Sequence, residues 1–419
     1  MTDLIKVFSF TGLSTLVKML TSYVTIKVVA SVVGPGGIAL IGQLQNLVGI
    51  MTALGGGGIN NGVVKYVAEY KDDETLLDKY IQIGLRITII FSLILGAFLI
   101  LAAEYFSIQL LLDDKYSYVF TCLGINLILI SLNNYFVSIL NGFKEFKKFV
   151  TLNIITSIVG LFFTVCLVYI YKLEGALLSL VTYQSIIIFI TYLFVRKTPW
   201  FKRTKLWGAW NRVIVKKYLS YSLMAVVSAL TLPLAQLFIR SEIINNLSLT
   251  DAGYWEAMNR VSALYLMFIT TSFTVYYLPI LSEIQDKLML RREIFKIYKI
   301  ITPVIIVSLI FIYYTKDFVI TLLFSDEFRP MLGLFFWQLL GDFFKIMSWI
   351  LAFIMVAKSM TKVYIVTEVV FSLLFVVLAM KFMYHFGLLG ITQAYCLNYF
   401  LYLGIMVIIF RKLLLGKSL

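Results

Sequence analysis

Glu256 and Arg260 stand four residues apart inside a long apolar run, acid first, so on a helix they share one face in the favourable order. Asn259 adjoins that face. In another apolar run Asp342 and Lys345 are three apart, with Gln338 one turn before Asp342. Lys18 lies near the middle of the first run, too deep for easy snorkelling. Ionisable groups at such depth are costly, face the interior of a helix bundle and mark sites. Together these positions describe a hydrated cavity with more positive than negative charge. Lysine offers a phosphate a point charge and arginine a forked donor, so the cargo of such a cavity is anionic. Glu256, Asp342 and Glu368 are the candidate counter-charges. Carboxylates held among cations could also carry protons, if burial and partners change between two conformations. Each couple equally reads as an acid that only neutralises its neighbouring base.

The remaining charges are less central. Lys27 is nearer the outer end of the first run, where snorkelling is an equal reading. Arg86 enters its run by only a few residues and reads as an interfacial anchor, while Arg240 and His385 fall near outer ends. Tyr254 and Trp255 precede the Glu256 face, and Trp337 and Trp349 flank the Asp342 stripe. Their rings can stack on sugars or form an interfacial belt. Cys122, Cys166 and Cys396 lie within apolar runs at no metal-ligand or disulfide spacing. No metal site and no cofactor are expected.

The elements that position these groups follow from composition. The 419 residues are 61% hydrophobic and 14% charged, with a mean hydropathy of +0.93. The apolar residues come in blocks of about 20, the length that crosses a hydrocarbon core. The chain is read as an all-α polytopic membrane protein with twelve spans, approximately 9–33, 38–64, 81–103, 117–140, 149–171, 174–195, 218–240, 253–281, 297–315, 331–357, 362–384 and 387–410. The first apolar run lacks a small-residue cleavage pattern and is expected to be retained. With both termini in the cytoplasm, the inner side holds roughly 25 Lys and Arg against about 6 outside, as the positive-inside rule requires. The same rule accounts for the formal charge of +14 without nucleic acid. The basic segment 201–217 separates a six-helix bundle, 1–200, from a second one, 218–419. Each half opens with a long span, an outer loop ending in glycine (Gly37, Gly253) and a span with polar residues, which makes the halves parallel repeats. Outer loops are all short, which leaves no room for a catalytic domain.

One stretch, Gly34 to Tyr70, stands out. It holds a Gly-Pro-Gly-Gly turn, an apolar run with Gln43, Gln45 and Asn46, and then Gly55, Gly56, Gly57 and Gly58 in a row. Glycine-broken spans point to a transporter's working region. The four glycines, with Pro233 in the middle of a later span, are the expected hinge. Pro303 is a further kink.

At these residues the chain resembles a known family. STLVKML (Ser14 to Leu20), the VGPGG…VVKYVAEY stretch, SLMAVVSALTLPLA (Ser222 to Ala235), DAGYWEAMNRVS (Asp251 to Ser262), TTSFTVYYLPILSEI (Thr270 to Ile284) and WQLLGDFFKI (Trp337 to Ile346) are similar to the Wzx-type O-antigen flippases, in the branch that handles enterobacterial common antigen. The resemblance runs over essentially the whole chain. It implies two six-helix bundles of the multidrug/oligosaccharidyl-lipid/polysaccharide exporter superfamily, in the bacterial inner membrane. It implies an undecaprenyl-pyrophosphate-linked oligosaccharide as cargo, moved from the cytoplasmic to the periplasmic leaflet by alternating access coupled to an ion gradient, with protons as the expected ion. Lys18, Arg260 and Lys345 are the positions that fit that superfamily's cationic cavity. Other expected associations are membrane lipid, a polysaccharide polymerase and a chain-length regulator. The competing readings are a drug/cation antiporter of the same architecture, which calls for an acidic cavity, and a membrane enzyme of polysaccharide assembly, which calls for a large outer loop.

Overall fold

The computed structural model describes residues 2–203 and 210–415; positions 204–209 of the basic segment lie outside the described residues. The described residues form helices and no strands. A bilayer offers the backbone no hydrogen bonds, so a spanning segment must satisfy its own, and a helix does this locally. Nine helices among the described residues are long and apolar enough to cross a membrane.

Three helices far exceed one crossing, which takes about 20 residues. They are Thr2–Gly55, Phe146–Val195 and Thr361–Ile409, of 54, 50 and 49 residues. Each is broken by one residue of positive φ: Gly34 at 65°, Lys172 at 49° and Gly387 at 59°. In the last two a glycine follows three positions later. A β-carbon on Gly175 would lie 1.9 Å from the Leu167 carbonyl oxygen, and one on Gly390 would lie 2.1 Å from that of Phe382. Break, glycine and carbonyl have the same spacing in both, so one local device recurs in the two parts of the chain.

Lys172 occupies the position that Gly387 fills in the second copy. Its side chain is exposed and its φ and ψ, 49° and −121°, suit glycine alone. Lys172→Gly is therefore expected to stabilise the protein by about 1 kcal/mol, the lower end of the cost of such backbone strain. Thermal unfolding of the detergent-purified protein would read this as a higher midpoint, and an unchanged or lower one would contradict it.

The chain divides into two compact units, one of residues 1–33 and 40–234 and the other of 34–39 and 235–419. In the first, Tyr66, Tyr80, Tyr135 and Tyr218 are buried among aliphatic residues. Their hydroxyls are not wasted: Tyr135 donates to the Ile81 carbonyl at 2.5 Å and Tyr218 to that of Tyr80 at 3.1 Å. At the same place Lys217 donates to the Tyr80 hydroxyl at 3.0 Å. Asp73 starts helix Glu74–Leu101 by accepting from the backbone of Leu76 and Thr75 at 3.0 and 3.1 Å. The Leu76 N–H, then the Thr75 hydroxyl, hold this exposed carboxyl below its usual range. The cap is thus at full strength above the ordinary carboxylate range and is lost as pH falls through the lowered folded value.

In the second unit Trp255, Phe375, Tyr395, Ile239 and Ile243 form a shared core with Ala39. This unit contains all the intramembrane carboxylates singled out from the sequence.

Candidate functional site

Helix Leu249–Ser272 organises the second unit. Ser248 caps it, accepting from the Asp251 backbone at 2.9 Å. Gly253 lets its first turn rest directly on the Gly-Pro-Gly-Gly turn, since a β-carbon there would lie 2.0 Å from the Pro35 carbonyl oxygen. Successive turns then present Glu256, Arg260 and Tyr265, with Ser262 between them. The helix continues into a π-helical turn, Phe273–Tyr277, where Tyr277 donates to the Ile350 carbonyl at 3.1 Å. Such widened turns concentrate at functional sites.

Glu256 is buried and clamped by two guanidiniums. Arg240 Nη2 reaches its Oε2 at 2.5 Å, and Arg260 Nε reaches its Oε1 at 3.0 Å. Arg240 is 1% exposed and lies over the Trp255 ring at 5.4 Å, whereas Arg260 is half-buried. The cluster carries one net positive charge. A buried carboxylate is stable only when paired and hydrogen-bonded, and here one arginine is sealed with it while the other is partly open.

Asp342 forms a second cluster. It is fully buried on helix Phe335–Ala357. Three hydroxyls serve its carboxylate: Ser262 at 2.6 Å and Tyr265 on Oδ2, and Tyr395 at 2.7 Å on Oδ1. Gln338 Nε2 supports the arrangement by donating to Ser262 at 3.2 Å. Lys345 does not meet Asp342 as the three-residue spacing suggested. Its Nζ donates to the Tyr395 hydroxyl at 3.1 Å and lies 5.0–5.4 Å from the rings of Tyr399, Trp349 and Tyr395. The pair is therefore relayed through one phenol, because residue 345 is turned away towards helix Thr361–Ile409, which supplies both tyrosines.

Other expected site residues are placed elsewhere. Lys18 belongs to the first unit, where its side chain is exposed. Glu368 is half-buried on Thr361–Ile409. Arg86 is half-buried and lines a cleft of about 280 Å³ with Ile89, Ile90 and Trp210. His385 is exposed between Tyr384 and Phe386, whose rings it touches.

The four glycines form a closed turn. Gly57 and Gly58 have φ of 67° and 65°, and the Gly57 carbonyl accepts from Ser222 at 2.5 Å. A β-carbon on Gly55 would meet Ser131 at 2.8 Å and one on Gly58 would meet Ser222 at 2.7 Å, but one on Gly56 finds nothing closer than 3.6 Å. Three of the four are thus fixed by packing or backbone, and Gly56 alone has room for a side chain. Pro233 is half-buried within Arg212–Asn246, two residues before that helix passes into the second unit.

With this geometry in view, comparison with known proteins places the chain. Residues 4–285 match the family described as polysaccharide biosynthesis protein. The chain belongs to this family. It is 30% identical over 407 residues to the lipid III flippase of Escherichia coli (strain K12) and equally to that of Shigella flexneri, covering 96% of this chain and 97% of each relative. In fold it is similar to an inward-facing multidrug resistance MATE family transporter of the MOP superfamily, with a TM-score of 0.78, 15% identity and 96% of both chains covered. The expected all-helical, MATE-like fold is thereby shown for this member of the polysaccharide biosynthesis family.

The charges are visible in the sequence, but their partners are not. Arg240 was set apart at an outer end, yet it closes the Glu256 cluster. Ser262, Tyr265, Tyr395 and Tyr399 carry no charge and do not stand out in the sequence. The available signal is hydroxyls at helical spacing, Ser262 with Tyr265 and Tyr395 with Tyr399.

Proposed function

We propose that the protein flips an undecaprenyl-pyrophosphate-linked oligosaccharide from the cytoplasmic to the periplasmic leaflet of the bacterial inner membrane. The observation that carries this reading is the excess of positive charge around buried acids in the second unit: two guanidiniums on Glu256, and Lys345 one hydroxyl away from Asp342. Full-length similarity to proteins named lipid III flippase supports the cargo class. The likeness to a multidrug transporter, at 15% identity, concerns the fold alone.

In this mechanism Arg260, Lys345 and Lys18 engage the diphosphate, while Glu256, Asp342 and Glu368 balance or couple. Twelve crossings, with both termini cytoplasmic, fit the three broken helices and the basic inner segments. Residues 1–200 and 218–419, joined by 201–217, act as the two halves of an alternating-access cycle, with Gly55–Gly58 and Pro233 as hinges and protons as the coupling ion. No bond of the cargo is broken, so the protein is a transporter and not an enzyme. A polymerase and a chain-length regulator act on the product and are natural neighbours.

Arg260→Ala and Lys345→Ala, alone and with Lys18→Ala, are the test. At normal expression each of the first two is expected to lower surface polysaccharide roughly tenfold or more, the effect of one charge-assisted hydrogen bond. Full transport by the triple variant would remove the cationic-site assignment. Gly56→Leu tests the hinge separately, because that position alone of the four tolerates a β-carbon; unchanged transport would dismiss the hinge.

A further inference from the structure

The hydrogen bonds of Asp342 are unequal. Oδ2 accepts from Ser262 and Tyr265, whereas Oδ1 accepts only from Tyr395. Ser262 Oγ itself accepts from Gln338 at 3.2 Å, and the hydroxyl of Tyr265, 3.3 Å away, gives its one hydrogen to Oδ2. A proton added to Asp342 needs an acceptor of its own, and the Tyr395 oxygen beside Oδ1 is the one best placed. To accept it, Tyr395 must turn its hydrogen out of the way. A phenolic hydrogen stays in the ring plane and has two resting positions. One points at Oδ1 and the other away from it, and the hydroxyl's second partner, Lys345 Nζ, lies 3.1 Å from the same oxygen. Beside its own hydrogen a phenol oxygen offers one good acceptor site, so an O–H on Oδ1 and the ammonium of Lys345 compete for it.

The reverse holds as well. Lys345 is half-buried, held by one hydrogen bond and three nearby aromatic rings, with no carboxylate paired to it among the described residues. An anion that draws its ammonium away removes a positive charge from the neighbourhood of Asp342 and frees the Tyr395 oxygen. The vacated oxygen can then accept from an O–H on Oδ1. The other groups facing this helix do not compete. Tyr298 of Lys287–Tyr314 and Tyr277 of the π-helical turn are spent on the carbonyls of Met347 and Ile350, and Glu256 and Arg260 hold each other one and two turns earlier on Leu249–Ser272.

We propose that Tyr395 is a positioning residue that links proton uptake at Asp342 to capture of an anionic diphosphate by Lys345, so that proton and anion bind together. This rests on the diphosphate-lipid reading of the cargo and adds the sign of the linkage. The step is a plain protonation: a proton from water joins Oδ1, its O–H donates to Tyr395, and the ammonium of Lys345 passes from the phenol to the diphosphate.

Farnesyl diphosphate is a soluble probe for calorimetric titration of the full-length protein in detergent, in buffers of different ionisation enthalpy. Wild type is expected to take up more protons per bound probe than Asp342→Asn, which corrects for protons the probe itself gains or loses. Tyr395→Phe is expected to bind with the proton count of Asp342→Asn, and Lys345→Gln to bind at least tenfold more weakly. A Tyr395→Phe protein with the wild-type count overturns the proposal. So does a wild type whose count equals that of Asp342→Asn. Infrared difference spectra of wild type give an independent reading: probe binding should produce a protonated carboxyl band that Asp342→Asn lacks, and its absence overturns the proposal however Tyr395→Phe folds. If wild type fails to bind the probe at all, the diphosphate reading falls, and this linkage with it.

Discussion

Arg240→Met is expected to reduce the yield of folded, membrane-extracted protein at least tenfold. The side chain is 1% exposed, bonds Glu256 at 2.5 Å and covers the Trp255 ring. Methionine replaces the volume but leaves the buried carboxylate with Arg260 alone. Removing one partner of a buried ion pair costs about 3–5 kcal/mol, a large part of a protein's net stability. The cost lies in the stranded charge, so Arg240→Met with Glu256→Gln is expected to recover much of the yield. Size-exclusion profiles of the extracted proteins distinguish the cases. Wild-type yield and melting for the single variant would mean that the clamp on Glu256 is not structural. Arg260→Ala should differ in kind, because Arg260 is half-buried and its loss leaves Glu256 bonded to Arg240. It is expected to impair transport more than folding. Under the proposed mechanism one carboxylate has a structural arginine and a working one.

The second large effect concerns two of the three broken helices. Gly390→Ala and Gly175→Ala each place a β-carbon about 2 Å from a main-chain carbonyl, at Phe382 and Leu167. A flexible side chain could yield, but backbone on the inner side of a helical break cannot. The strain exceeds ordinary overpacking, which costs about 1–3 kcal/mol, and both variants are expected to leave little folded protein. Gly404→Ala is the matched control, since nothing lies within 4 Å of its β-carbon, and it should behave as wild type. Should Gly390→Ala extract and melt like Gly404→Ala, the close approach at the break would be wrong.

What the sequence revealed follows physical lines. Apolar blocks and basic loops display the membrane architecture openly, because the bilayer constrains every spanning residue in the same way. Buried acids are equally visible, since Glu256 and Asp342 have no other business in such runs. Their partners were harder to read. Helical spacing linked Glu256 to Arg260 correctly, but it paired Asp342 with Lys345, which meet only through Tyr395 from a segment some fifty residues on. Arg240 lay out of sight for the same reason: its pairing crosses from one helix to the next, which local periodicity does not encode. The four glycines were legible as a break. That Gly57 and Gly58 are held by φ and by Ser222, while Gly56 is open, needed coordinates. Lys18, conspicuous by depth in the sequence, has an exposed side chain in the fold.

The most direct test of the central claim is a lipid extraction from cells lacking the gene, with a plasmid copy as control. Undecaprenyl-pyrophosphate-linked saccharide and surface polysaccharide are quantified together. Flipping predicts that complete lipid-linked units accumulate while surface polymer is lost, and that the plasmid reverses both. Incomplete units, or unchanged levels of both pools, would contradict it.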